Sequence, residues 1–150
     1  MRNVAEALAL LGSQIGLSRL ALDSHGSCAL TVNENVEIFF HGNPEADVMQ
    51  ISGVVGSLHV ASGLALARVL LELNFGAAQN GPAAFAADPV TGEVLLTQQL
   101  PVGRMTPEEL RTAVENFVAR VEFWSGYLPR MSGSDEPPDD QGPGDPQLRC

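Results

Sequence analysis

Three short runs of β-favouring residues, separated only by turn residues, constrain the fold of this chain most. The runs are SRLALD (18–23), SCALTV (27–32) and VEIFFH (36–41), and Ser-His-Gly and Asn-Glu-Asn stand between them. This spacing predicts an antiparallel meander. Alternation gives each of the last two runs one apolar face, formed by Cys28, Leu30 and Val32 and by Val36, Ile38 and Phe40. We expect a helix to cover that side of the sheet, while Phe39 points the other way.

Two amphipathic helices with clear end signals flank the strands. Residues 3–16 carry an apolar stripe with Asn3 as the N-cap and Gly16 as the C-cap. Near the other end, Thr106 and Glu109 form a capping box and Pro107 takes the first helical position. We expect this last helix to run to about Tyr127.

Residues 59–74, HVASGLALARVLLELN, predict a further helix that is apolar nearly all round. In a chain of this size one sheet covers only one face of such a helix, so the remaining face indicates a subunit interface. The alternative is a central core helix wrapped by its own chain.

The remaining runs complete an α+β domain. VMQISGVVG (48–56) is strand-like, and PAAFAAD (82–88) and EVLLTQQLP (93–101) predict a hairpin about the turn Asp88 to Gly92. The predicted order is α-β-β-β(β)-α-β-β-α, with three helices and a twisted, mainly antiparallel sheet in a homodimer. We assign residues 1–129 to this domain and residues 130–150, rich in Pro, Gly, Ser and Asp, to a disordered acidic tail.

The charge balance limits the class of partner. The chain has 8 basic and 18 acidic residues, a formal net charge of -10, and every basic residue is Arg. Without lysine, Schiff-base chemistry is excluded. The acidic balance argues against nucleic acid and against an anionic membrane surface. The first twenty residues have neither the basic start nor the apolar block of a signal peptide, so a cytoplasmic protein is expected.

Several tempting chemical motifs are incomplete. GAAQNG (76–81) has the glycine spacing of a phosphate loop, but Pro82 and Ala83 stand where Lys and Ser/Thr are needed. This loop also leaves a helix C-terminus, whose partial charge repels anions. His25, His41 and Cys28 lack a close anchoring pair for zinc. We therefore expect no catalytic residue, no metal and no cofactor.

Three segments, in this order along the chain, resemble the Tir chaperone (CesT-like) family, the class I chaperones of bacterial type III secretion. They are LLGSQIGLSRLALDSHGSCALTV, LLELNFGAAQNGPAAFAADPVTGEVLLTQQLP and TPEELRTAVENFVARVEFW, within residues 3–128. The resemblance implies a small acidic cytoplasmic homodimer without enzymatic activity. Such a dimer binds the unfolded N-terminal segment of a secreted effector, keeps it secretion-competent and delivers it to the secretion ATPase.

The resemblance also suggests where contacts lie. In the family the helix at about 59–73 commonly builds the dimer interface, here through Leu64, Leu66, Val69, Leu70 and Leu73. Strand alternation adds an expected effector-binding set, which comprises Leu20, Phe39, Met49, Phe85 and Leu95. Two alternatives stay open: a regulator of the same fold that sequesters another chaperone or a transcriptional activator, and a small ligand-binding α+β domain.

Overall fold

The computed structural model describes residues 1–58, 63–76 and 81–132 of the chain. Within these ranges it contains three α-helices and one five-stranded antiparallel sheet, which confirms the predicted α+β class and element order. The elements are α1 (Val4–Ile15), β1 (Ser27–Val32), β2 (Val36–His41), β3 (Met49–Ser57), α2 (Gly63–Phe75), β4 (Ala84–Ala87), β5 (Glu93–Leu100), a short 3-10 turn (Val102–Arg104) and α3 (Pro107–Ser132). Spatially the strands follow the order β1-β2-β3-β5-β4.

Both flanking helices begin as their sequences predict. The Asn3 side chain accepts a hydrogen bond from the Glu6 amide at 2.9 Å, and α1 ends at Gly16 with φ at +81°. At α3, the Thr106 hydroxyl accepts from the Glu109 amide at 3.1 Å, while the Glu109 carboxylate accepts from the Thr106 amide at 2.8 Å.

Residues 18–23 do not form the predicted strand. After Gly16 the chain turns back along α1, and the Leu17 amide donates to the Gly12 carbonyl at 2.7 Å. Gly12 permits this return, since a Cβ there would lie 2.6 Å from the Leu17 carbonyl oxygen and 3.0 Å from the Leu20 Cβ. Leu20 thereby joins the core instead of a sheet.

One face of the sheet packs against α1 and α3, as the alternation predicts. The strand register sets Leu30 opposite Ile38, and Phe40 faces Ile51 on the next strand, with all four side chains in the core. The core side also includes Val94, Leu96 and Leu100 of β5 and the stripe of α3 formed by Leu110, Val114, Phe117, Val118, Val121, Trp124 and Leu128. The run 48–56 is confirmed as a single strand, with an irregularity in its pairing to β5 between Val54 and Gly56.

The hairpin of β4 and β5 closes through the predicted turn. The Asp88 carboxylate accepts from the amides of Val90 at 2.8 Å and Thr91 at 3.3 Å, and Gly92 takes a φ of +75°. Phe85 of β4 then packs edge-to-face on Trp124 of α3, with 5.0 Å between ring centroids.

Helix α2 packs beside β4 and α3, and the described part of the chain covers only one side of it. Leu66 and Leu70 are buried in the core, whereas Leu64, Leu71 and Phe75 are 88%, 70% and 95% exposed. Residues 59–62 of the predicted helix lie outside the described ranges.

Helix α3 is longer than predicted. It passes through Pro129 and ends at Ser132 instead of near Tyr127. A proline costs a helix its own N–H bond but does not have to end it, which explains the error. Residues 130–132, which were assigned to the tail, belong to α3. Residues 133–150 lie outside the described ranges, so the disordered acidic tail stays a prediction for them.

Candidate binding groove at the open edge of the sheet

Strand β1 forms one edge of the sheet, and its hydrogen bonds show which backbone groups face outward. Gly42 donates to the Gly26 carbonyl at 3.0 Å on the side of β2, whereas both backbone groups of Ser27 bond to Asp23 on the other side. Because outward groups alternate along a strand, those of Ala29 and Thr31 also face outward.

Among the described residues, no neighbouring strand or side chain closes this edge at Ala29 and Thr31. At this edge the Cys28 thiol lies 3.9 Å from the Ala29 carbonyl oxygen. A thiol is a weak donor, and this separation makes the contact weaker still. The edge therefore offers an amide and a carbonyl at each of two positions to an added strand.

A groove runs beside this open edge, between α1, β1 and α3. Its floor and walls are apolar and come from Leu11, Ile15, Leu17, Leu30, Val32, Val114, Val118 and Ala119. Leu11 and Leu30 are buried, while Ile15 and Leu17 stand 41% and 42% exposed at the mouth. Since Leu30 and Val32 point to the core side of β1, the groove lies where alternate side chains of an added strand would also point.

The rim of the groove is acidic on balance. Arg111, Glu115 and Glu122 of α3 line it, and the Arg111 Nε donates to the Glu115 carboxylate at 2.9 Å. The two side chains lie on adjacent turns of α3 and are exposed to solvent, so this ion pair contributes little to stability. Because Arg111 pairs with Glu115, the Glu122 carboxylate leaves these three side chains with a net negative charge.

None of the five predicted effector-binding residues lines this groove. Leu20, Met49 and Phe85 are buried in the core and are not presented at the surface of the described structure, so their role in effector binding stays a prediction. The cause differs for each: Leu20 turns back over α1, Met49 pairs with Leu100 on the core side, and Phe85 contacts Trp124.

Phe39 and Leu95 occupy the opposite face of the sheet and are half-buried. Phe39 pairs with Ala29 and Ser52, and Leu95 pairs with Val54 and Ala86. They lie across the sheet from the groove, and their role in binding stays a prediction.

The predicted dimer residues differ in how far they are buried. Leu66 and Leu70 pack in the core of their own chain, Leu64 is exposed, and Val69 and Leu73 are half-buried. Sequence reasoning missed Leu71 and Phe75, which carry most of the exposed apolar surface of α2 together with Leu64. The sequence did contain a signal for these residues, because a helix that is apolar all round needs a partner for the face that its own core does not cover.

The titratable groups suggest structural roles. The His41 Nδ1 lies 2.8 Å from the Ser27 hydroxyl and 3.1 Å from the Gly26 carbonyl oxygen, where it ties β2 to the turn before β1.

Across the described ranges, no three His, Cys, Asp or Glu side chains come together as a metal site would require. None of the helices in those ranges has the length and apolarity needed to cross a bilayer.

The two glycines with the spacing of a phosphate loop have structural roles instead. The Gly76 amide donates to the Glu72 carbonyl at 3.0 Å and so continues the hydrogen bonding of α2. Gly81 takes a φ of +61° close to the Arg120 side chain. The residues between them lie outside the described ranges.

Several solved structures share this fold over most of their length. The chain is 27% identical to one in the crystal structure of the ExsC-ExsE complex, with a TM-score of 0.70 over 83% of this chain and 92% of that one. The Yersinia pestis type III secretion chaperone SycH, solved with a fragment of YscM2, matches at 18% identity and a TM-score of 0.61, over 80% and 98% of the two chains.

A chain of the heterodimeric ExoU-SpcU complex of Pseudomonas aeruginosa matches at 18% identity and a TM-score of 0.59, over 82% of this chain and 95% of that one. The last two likenesses show the fold alone. The comparison with curated proteins gives no match. Residues 6–125 match the Tir chaperone protein (CesT) family. The chain therefore belongs to the Tir chaperone protein (CesT) family.

Proposed function

We propose that this protein is a type III secretion chaperone that binds an extended, unfolded N-terminal segment of a secreted effector along β1. The observation that carries the proposal is the open β1 edge at Ala29 and Thr31 beside an apolar groove. Solved structures of this fold include chaperone-effector complexes, among them the HopA1-SchA complex, which supports the same use here.

Two kinds of contact would hold the effector segment on the chaperone. Main-chain hydrogen bonds to Ala29 and Thr31 would supply affinity with little demand on the effector sequence. Apolar side chains at every second position of the effector would enter the groove over Leu11, Leu30 and Val118 and remove apolar surface from water. An unfolded segment pays an ordering cost on binding, so both contributions are needed.

The rim adds a preference for charge. Glu115 and Glu122 outnumber Arg111 at the groove, and the whole chain carries a net charge of -10. Basic residues beside the apolar anchors of an effector would therefore speed association, an effect that salt weakens.

We also propose that the protein acts as a homodimer joined through α2. Leu64, Leu71 and Phe75 expose large apolar side chains on this helix, while Leu66 and Leu70 hold its other side to the core. Exposed apolar patches of this kind mark association surfaces.

The remaining parts of the proposal follow from the family. We infer a cytoplasmic protein without enzymatic activity that hands its effector to the secretion ATPase. A thermal-shift screen against metals and nucleotides tests the absence of a small-molecule site, since any ligand of the native state raises the melting temperature. A clear shift would favour the ligand-binding alternative.

Co-expression with the secreted protein encoded beside this chain tests the chaperone function. We expect that protein to copurify and to lose solubility when the chaperone is omitted. If another chaperone or a transcriptional activator copurifies instead, the regulatory alternative is correct. If nothing copurifies and the secreted protein stays soluble alone, the proposal is wrong.

A further inference from the structure

At the second edge of the sheet, along β4, the Asn74 side chain is the group among the described residues that bonds the outward backbone. The Asn74 amide nitrogen donates to the Phe85 carbonyl oxygen at 3.0 Å, and the Phe85 amide donates to the Asn74 carbonyl oxygen at 2.7 Å. Both distances are those of well-formed hydrogen bonds. Because β4 pairs with β5 on its other side, these two groups of Phe85 face the free edge.

The contact reproduces what a neighbouring strand would offer. An asparagine side chain carries one carbonyl acceptor and an NH2 donor, as a peptide group carries an acceptor and a donor. At Phe85 it bonds the same amide and carbonyl that an added strand would need. β4 has only four residues, so closing its middle position leaves little edge for pairing.

The position of Asn74 is fixed by the helix that carries it. Leu70 and Leu66, one and two turns earlier on α2, are buried in the core, which anchors the helix beside β4. Asn74 is itself half-buried. Competing water is therefore reduced at both hydrogen bonds.

We propose that Asn74 is a specificity-determining residue that closes the β4 edge and confines strand addition to β1. The statement that the added strand is an effector segment rests on the proposed function. The closure itself does not, because an open β4 edge would also pair with the same edge of another copy of this chain.

The test replaces Asn74 by Leu, which has a similar size and no hydrogen-bonding group. In the wild-type protein we expect the Phe85 amide to be protected from hydrogen exchange. In Asn74→Leu we expect it to exchange about tenfold faster or more when the protein is dilute, the factor for loss of one ordinary hydrogen bond. At high concentration, light scattering should show assemblies larger than the wild type forms.

A double variant separates edge closure from a general effect on stability. Ala87 is two residues after Phe85 on β4, so its backbone N–H also faces away from β5. Ala87→Pro therefore removes an outward N–H without a loss of pairing to β5. We expect Asn74→Leu/Ala87→Pro to return to the wild-type assembly state while its melting temperature stays lowered. A merely structural role of Asn74 would lower the melting temperature without any change in assembly.

Asn74→Asp serves as the second variant, since it keeps the acceptor for the Phe85 amide and loses the donor to the carbonyl. We expect assembly between that of the wild type and that of Asn74→Leu. The proposal is overturned if both variants keep the wild-type assembly state at all concentrations, or if neither folds. With a bound effector segment, Asn74→Leu should also take up a second segment per chain.

The two proposals fail in different ways. If the wild-type protein binds no effector segment, the proposed function fails, and the assembly measurements still decide the role of Asn74. If effector binds and Asn74→Leu neither assembles nor takes up a second segment, the edge proposal fails alone.

Discussion

The Asp23 carboxylate accepts hydrogen bonds from the Ser27 amide at 3.0 Å and the His25 amide at 2.8 Å, and the Asp23 amide donates to the Ser27 carbonyl at 2.8 Å. This arrangement occupies the first outward position of β1. The open part of the edge therefore begins at Ala29, and an added strand that reached Ser27 would have to displace Asp23.

The same contacts make Asp23 sensitive to acid. The hydrogen bond from the Ser27 amide, and then that from His25, hold the pKa of Asp23 below its ordinary value of 3.8. A pKa that is lower in the folded state stabilises the fold above the unfolded value, and this stability is lost as the pH falls through the folded-state pKa.

Asp23→Asn should show this dependence in urea unfolding. Asn keeps a carbonyl acceptor but does not titrate. We expect the wild type to be the more stable protein at pH 7, and the difference in free energy of unfolding to shrink below pH 3.8. An equal difference at pH 7 and at pH 2 contradicts this assignment.

Gly53→Ala should destabilise the fold, because α3 crosses the sheet at this glycine. A Cβ at Gly53 would lie 2.8 Å from the Val121 Cγ2. Overpacking of this kind costs about 1–3 kcal/mol. Gly126→Ala is the matched control, since nothing lies within 4 Å of its added Cβ and alanine favours a helix. Urea unfolding that shows no loss at Gly53 would mean that α3 shifts freely over the sheet.

Thr106→Ala should remove half of the capping box at the start of α3. The expected loss is about 0.5–2 kcal/mol in the free energy of unfolding. Thr112→Ala changes an exposed threonine on the same helix and should have a smaller effect. Equal losses in the two variants would argue against the cap.

Charges on the exposed face of α2 should break the proposed dimer and leave the fold intact. We expect Leu64→Asp/Leu71→Asp to sediment as a folded monomer, because an unpaired carboxylate is costly in a dry interface. Leu66→Asp places the same charge in the core and should unfold the chain instead. A folded dimer in the double variant would place the interface elsewhere.

Local sequence signals predicted much of the fold, because they depend on neighbours in the chain. Asn3, Gly16 and the Thr106–Glu109 box identified helix ends, and the Asp88–Gly92 turn identified a hairpin. The strand at 18–23 was wrong since β propensity competes with tertiary packing. There Gly12 lets the chain return along α1, which no periodicity of residues 18–23 reveals.

The candidate site was much harder to predict, because distant segments build it. Leu11, Leu30 and Val118 each read as core residues in their own element, and the gap between them depends on how those elements pack. Alternation also cannot tell which face of a strand will be buried, so it offered Met49 and Phe85 as surface residues. The Asn74 contact to Phe85 joins a helix end to a strand and has no local pattern.

The central claim, that effector adds to the β1 edge, is tested most directly by proline at Thr31. Thr31→Pro removes an outward N–H and no hydrogen bond to β2, so the fold should persist. Ala87→Pro makes the matched change on the closed β4 edge. The measurement is the affinity of each purified variant, by titration calorimetry, for the N-terminal segment of the copurifying effector. We expect Thr31→Pro to weaken binding by about tenfold or more and Ala87→Pro to bind as the wild type does. Wild-type affinity in a folded Thr31→Pro protein would contradict strand addition at β1.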